Sequence, residues 1–272
     1  MPKFPYPKPA LLLDDQLQLL RGRGLEVANP ADARRLLENI SYYRLSGYTR
    51  YYADPADDAQ ERFLPGVTFD RVIGLYVFDR RLRHLFGEAF ERIEVAVKGG
   101  VAYHGSILSG PFWMTDPANF DASRHAEIMS LVVDAVIADD GKHKQQFLDH
   151  FYRKYADAYP PAWMITEVLS FHGISIVYKL ARGTIRRPVA DQFGIQQDIL
   201  ESWLHALVFA RNLCAHHSRF WNRRFIIRPK IPREYRQVWP AAGQNQLYIA
   251  ACVIKHMLER LGVVSHFEMR GL

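Results

Sequence analysis

The segment Ala210-Arg211-Asn212-Leu213-Cys214-Ala215-His216-His217-Ser218-Arg219-Phe220-Trp221-Asn222-Arg223 gathers side chains able to do chemistry on a phosphodiester. Asn212 and His216 are four apart and so share one face of a helix; Arg211 lies one step round and is long enough to reach the same place. Histidine titrates near neutral pH, so one imidazole can take the proton of a 2′-hydroxyl while another protonates the leaving oxygen. Arginine stays charged and binds two phosphate oxygens at once, which stabilises the crowded transition state. Asparagine adds a neutral donor and acceptor that orients either phosphate or imidazole. No carboxylate cluster accompanies them, so no magnesium site and no cofactor are expected. Zinc is not expected either, because Cys214, His216 and His217 lack a fourth ligand at suitable spacing. The chemistry implied is metal-independent attack by the 2′-hydroxyl of RNA, leaving a cyclic phosphate.

The charge around this segment is local. The 272-residue chain carries +6 overall, yet residues 211–236 alone hold eight Lys and Arg against Glu234, a net of +7. Local positive charge is the footprint of a phosphate-bearing partner. Arg219, Arg223, Arg224 and Arg228 alternate with Phe220, Trp221 and Phe225, a mixture that suits RNA, since aromatics stack on unpaired bases while arginines take phosphates. The plainer readings stay open: a solvated loop for the arginines, a core position for Trp221, and helix-end cations for Arg211 and His216. His217 points elsewhere on a helix and is read as support or RNA contact. Cys214 reads as a small buried hydrophobe. Glu94 could reach the site from a second helix, or simply pair on the surface with Lys98 four residues on.

The elements that must position these residues read as helices. Asp14 or Asp15 caps a helix through Leu20 that Gly22 and Gly24 end, and Asn29-Pro30 opens another through about Ile40. The aromatic run 42–48 stops at a glycine, and the polar stretch 53–62 is the best internal boundary, giving a small N-terminal helical module over 1–62 and a helical bundle over 63–272. Thr68 caps a long amphipathic helix in which Val72, Leu75, Tyr76, Leu82, Phe86, Phe90, Ile93 and Val97 keep three-and-four spacing. Further helices are expected at 121–138, 144–155, 163–180, 196–217 and 244–261; Phe225–Arg228 is the best short strand candidate. The fold class is all-α.

Composition excludes several alternatives. At 49% hydrophobic and 24% charged the chain is neither disordered nor fibrous, and two cysteines cannot build a disulfide scaffold or an iron–sulfur cluster. No apolar run approaches the roughly 20 residues of a membrane span, and the proline-rich start has no signal-peptide core, so a cytoplasmic protein without a membrane partner is expected.

Arg211-Asn212-Leu213-Cys214-Ala215-His216 resembles the Arg-x4-His signature of the HEPN superfamily, and its flanks are similar to the Abi-like (AbiD/AbiF-type) abortive-infection family. The shared marks run in order over about residues 8–230: Lys8-Pro9 with Gln16, the run Tyr42–Tyr48, Phe78-Asp79-Arg80 with Leu82-Arg83, Arg92-Ile93-Glu94, Pro161–Met164 with Glu167, and His216–Arg219 with Trp221–Arg223. The resemblance implies a HEPN-type bundle, RNase activity in phage defence or a toxin–antitoxin system, and a homodimer in which two motifs face one RNA substrate. It implies catalytic roles for Arg211 and His216 with Asn212 supporting, and a restraining antitoxin, either a small RNA or a protein. The alternative is a non-catalytic nucleic-acid-binding module, for which the helices at 14–20 and 30–40 could serve as a helix-turn-helix. A partner that only scaffolds another toxin is a third.

Overall fold

A computed structural model describes residues 5–6, 9–57, 59, 61–138, 141–239 and 246–262. The described residues form eleven α-helices joined by short 3-10 turns, with β pairing limited to isolated bridges, so the fold is all-α as expected. The chain divides into two compact units, 1–83 and 84–272; the loop at 53–62 lies inside the first.

The first unit contains α1 (Leu13–Gly22), α2 (Pro30–Ile40), α3 (Tyr42–Thr49) and the start of α4 (Phe69–Ser109). Asn29 caps α2 as its sequence demands, accepting from the Asp32 amide at 3.2 Å, and Thr68 caps α4 through the Arg71 amide at 3.2 Å. At α1 the caps differ from expectation. The residue before the helix is Leu12, without a side-chain cap, and Asp14 and Asp15 sit inside the first turn, where their charge meets the positive helix end. Gly24, at φ 95°, ends α1 by letting the Leu25 amide reach the Leu20 carbonyl. Leu17, Leu20, Leu37, Leu45, Tyr48 and Val72 form the core of this unit. Within it the Tyr48 hydroxyl donates to Asp79 at 2.6 Å, and Asp79 pairs with Arg83 one turn along α4, both charges being buried. The run 42–48 does not stop at Gly47; Ser41 caps it and α3 continues to Thr49.

In the second unit α10 (Gln197–Ala215) is central, burying Leu200, Trp203, Leu204, Leu207 and Ala210 against α8, α9 and α11. The spacing over 163–180 predicts one helix, but the chain makes two, α7 (Ala162–Val168) and α8 (Phe171–Leu180). Ser170 causes the break: its hydroxyl accepts from the Gly173 amide at 3.1 Å, starting a new helix where the extended Leu169 ends the old one. α5 (His125–Val136) and α6 (Gln146–Lys154) are shorter than their expected spans, and α9 (Gly183–Gln192), which carries Pro188, had no counterpart in the periodicity. α11 (Gln246–Arg260) matches the expected terminal helix; residues 244–245 and Lys8 lie outside the described residues. Phe225–Arg228 is not a strand: it bends at Ile226-Ile227 and has no ladder partner among the described residues, because Phe225 is drawn into an aromatic cluster with Phe209 and Phe220. Among the described residues no helix is long and apolar enough to cross a membrane.

Candidate active site

The end of α10 is built differently from a helix running to 217. α10 stops at Ala215, His216 is its C-cap, and His217 takes φ 54°, a left-handed conformation favourable for glycine and tolerated by few other residues. That turn lets the Ser218 amide donate to the Leu213 carbonyl at 2.9 Å and the His217 amide to the Cys214 carbonyl at 3.1 Å, satisfying carbonyls that would otherwise be orphaned. Asn212 and His216 therefore meet at a helix terminus, where the His216 amide donates to the Asn212 carbonyl at 3.0 Å. The His216 ring is exposed and makes no side-chain hydrogen bond, ion pair or ring contact among the described residues.

Arg211 is held from two sides. One guanidinium nitrogen donates to Asn212 Oδ1 at 3.4 Å, and another lies 3.8 Å from Glu94 Oε2 on α4. Glu94 Oε1 in turn takes Lys98 Nζ at 3.1 Å. Glu94 and Lys98 are 16% and 15% exposed, so this pair is largely out of water, where a surface pair was the plainer expectation. Lys98 is the residue whose place at the site the sequence reading missed; its four-residue offset from Glu94 was the available signal, but that spacing describes any solvated helix pair equally well. Lys98, Glu94 and Arg211 together carry one net positive charge. Cys214 is buried, in keeping with a packing role. Among the described residues no group of three or more His, Cys, Asp or Glu side chains is placed to hold a metal ion.

The basic segment follows α10 backwards. Phe220 is buried against Phe86 and Phe225, with ring centroids 5.0 and 5.5 Å away, and Phe225 lies 5.8 Å from Phe209. Further on, the Lys230 amide donates to Ser202 Oγ and Trp203 Nε1 donates to the Lys230 carbonyl, both at 2.8 Å. The far end is fixed by Tyr235, whose ring stacks on Trp239 at 4.6 Å and whose hydroxyl donates to His256 Nδ1 at 2.9 Å. His256 Nε2 then carries the proton donated to the Phe193 carbonyl at 2.8 Å. Phe225, Pro229 and Pro232 face inward along this strap, while Arg223, Arg224 and Arg228 are exposed and without ion pairs among the described residues. Arg219 is half-buried and has contacts of its own.

A family model described as Abi-like protein matches residues 35–222, well over half of the chain and inclusive of the whole Arg211–Asn222 segment. No curated protein and no solved structure matches significantly. The chain belongs to the Abi-like protein family.

Proposed function

We propose that this chain is a metal-independent endoribonuclease of HEPN type, acting as the toxin of a bacterial abortive-infection or toxin–antitoxin system and restrained by an RNA or protein antitoxin. Membership of the Abi-like family suggests phage defence by abortive infection. The observation that carries the enzymatic reading is the exposed His216 ring, without a side-chain partner among the described residues, at the end of the helix whose Arg211 is braced by Glu94.

In the proposed reaction one His216 removes the 2′-hydroxyl proton as that oxygen attacks phosphorus, and the bond from phosphorus to the 5′-oxygen breaks. A second imidazole protonates the departing 5′-oxygen, while Arg211 neutralises the charge gathering on the non-bridging oxygens. The products are a 2′,3′-cyclic phosphate and a 5′-hydroxyl. One chain offers one such histidine, so the second is taken to be His216 of another copy related by a two-fold axis. A face suited to that copy adjoins Glu94 and Lys98: Val95, Tyr103 and Ile107 on α4 are 63%, 61% and 70% exposed, in one row at four-residue spacing with Gly99. Trp163, 50% exposed, borders a shallow 430 Å³ groove beside them. Such a contiguous apolar row is costly to leave in water.

The test is to incubate wild type, His216→Ala and Arg211→Ala with total RNA in excess EDTA and to read the product ends. Cyclic phosphate from wild type alone is the expected result. Cleavage that needs added magnesium, or that survives His216→Ala, would overturn the reading.

A further inference from the structure

Because the segment after His217 doubles back along α10, its positive charges are not one patch at the helix end but a line laid over the whole helix. α10 has 19 residues and so rises about 28 Å. Arg223 and Arg224 follow directly on the turn at its C-terminal end; Lys230 is tied to Ser202 and Asp198 near its N-terminal end. Arg233 and Arg236 line a large open cavity there, together with Arg187 of α9. These last three cations have no ion-pair partner among the described residues. Between the two ends, over residues 224–231, burial alternates: Phe225 and Pro229 are buried, while Arg224, Ile226, Arg228 and Lys230 are exposed. Ile226, at 83% exposure, is an apolar side chain standing in the open between two arginines.

We infer that the strap is a track for single-stranded RNA, carrying the substrate from the scissile phosphate at His216 along α10 to the cavity under Arg233 and Arg236. This rests on the ribonuclease reading above and adds the substrate's form and minimum length. The charges supply the sequence-independent attraction for a phosphate backbone. Ile226 between arginines suits a strand whose base faces are bare, since a duplex buries those faces in its own stack. Cleavage by a 2′-hydroxyl makes the same demand: the attacking oxygen, phosphorus and leaving oxygen must come into line, which a stacked A-form duplex resists. A run of about 28 Å corresponds to about eight nucleotides at a stacked rise of ~3.4 Å, and to fewer if the strand is stretched.

The test is fluorescence anisotropy with 2′-O-methyl RNA oligomers of 3, 6, 9 and 12 nucleotides and a 12-base-pair duplex, using the full chain and an Arg233→Gln/Arg236→Gln variant. For wild type, affinity should climb with length and level off between 6 and 9 nucleotides, with the duplex bound at least roughly ten-fold more weakly. The double variant should lose affinity progressively as the oligomer lengthens, and its salt slope should fall by about 1.4, the value for two single-strand phosphate contacts. Length-independent affinity, equal binding of the duplex, or an unaltered salt slope in the variant would each overturn the track. A partner that is an acidic protein rather than RNA would show itself as the last of these. Failure of the ribonuclease reading looks different: the length and charge dependence would persist while the cyclic-phosphate assay with unmodified RNA stayed blank.

Discussion

Glu94 lies between two cations, 3.1 Å from Lys98 on its own helix and 3.8 Å from Arg211 on α10. Among the described residues it is the only acid in contact with Arg211, and the longer contact tethers a guanidinium that is 40% exposed without neutralising it closely. In the proposed reaction Glu94 would act as a positioning residue for Arg211.

Replacing it tests that role. Glu94→Gln keeps the shape and one acceptor but removes the charge that steers Arg211. Cleavage should fall about ten-fold in kcat with KM nearly unchanged, because the lost interaction matters most when the phosphate gains charge. RNA affinity should stay level or tighten slightly, since one negative charge is gone. Stability should drop by about 1 kcal/mol, the pair being sheltered but not fully buried. A loss confined to the melting temperature, with kcat intact, would leave Glu94 a merely structural partner of Lys98.

The left-handed turn at His217 makes a second, sharper prediction. A non-glycine residue at φ 54° carries strain of about 1 kcal/mol that glycine does not. His217→Gly and His217→Ala both delete the ring, but only glycine relieves the backbone. The glycine variant should be more stable than the alanine variant by about 0.5–1 kcal/mol in urea unfolding. Equal activity in the two, both near wild type, would leave His216 as the working imidazole; equal loss in both would bring the His217 ring into the chemistry.

How much of this was open to a reader of the sequence depends on how local each determinant is. α4 was legible because Val72, Phe86, Phe90, Ile93 and Val97 repeat on one face over many turns, and α2 because Asn29 and Pro30 act only on their neighbours. The break before α8 was hidden, since the apolar spacing runs on through it and only the Ser170 hydroxyl ends the helix. α9 was hidden by Pro188 and two arginines, which look like a loop until Ile185, Val189 and Ala190 are buried. Arg211, Asn212 and His216 were singled out by residue type and spacing, but their placement at a helix terminus follows from the backbone of His217. The link from Glu94 to Arg211 joins two distant helices, which no periodicity within either one encodes.

The buried cluster of the first unit predicts alkaline sensitivity. Burial, reinforced by the hydrogen bond to Asp79, pushes the Tyr48 hydroxyl from its ordinary 10.0 up to about 12. Below pH 10 both folded and unfolded chains keep this proton, so it makes no difference there. Between pH 10 and about 12 the unfolded chain loses the proton while the folded chain holds it, and unfolding becomes easier as pH rises, by on the order of 2–3 kcal/mol in all. In Tyr48→Phe that part of the slope should vanish, leaving the fall from other buried groups such as Tyr178, whose hydroxyl burial raises even further. Denaturant midpoints measured at pH 9 and pH 11 for both proteins check this; parallel falls would refute it. The companion variant Asp79→Ala should cost about 3–5 kcal/mol, because it strands the Arg83 charge in the interior.

The apolar row on α4 gives the last prediction, and it separates assembly from chemistry. If Val95, Tyr103 and Ile107 seat a second copy, Tyr103→Glu/Ile107→Glu puts two like charges opposite their own images across a two-fold axis, which no rearrangement of side chains can avoid. Both residues are well exposed, so the fold should survive with its melting temperature within a few degrees of wild type. Analytical ultracentrifugation should show wild type as a dimer and the double variant as a monomer. Cleavage should fall by about 10²-fold or more, the monomer having lost one of two acid–base groups. Mixing that variant with His216→Ala discriminates further. Neither protein alone should cleave, and no pairing of the two supplies two intact His216 rings on an unopposed interface, so activity should not return. A monomeric double variant with full cleavage would place both acid and base within one chain and remove the dimer from the mechanism.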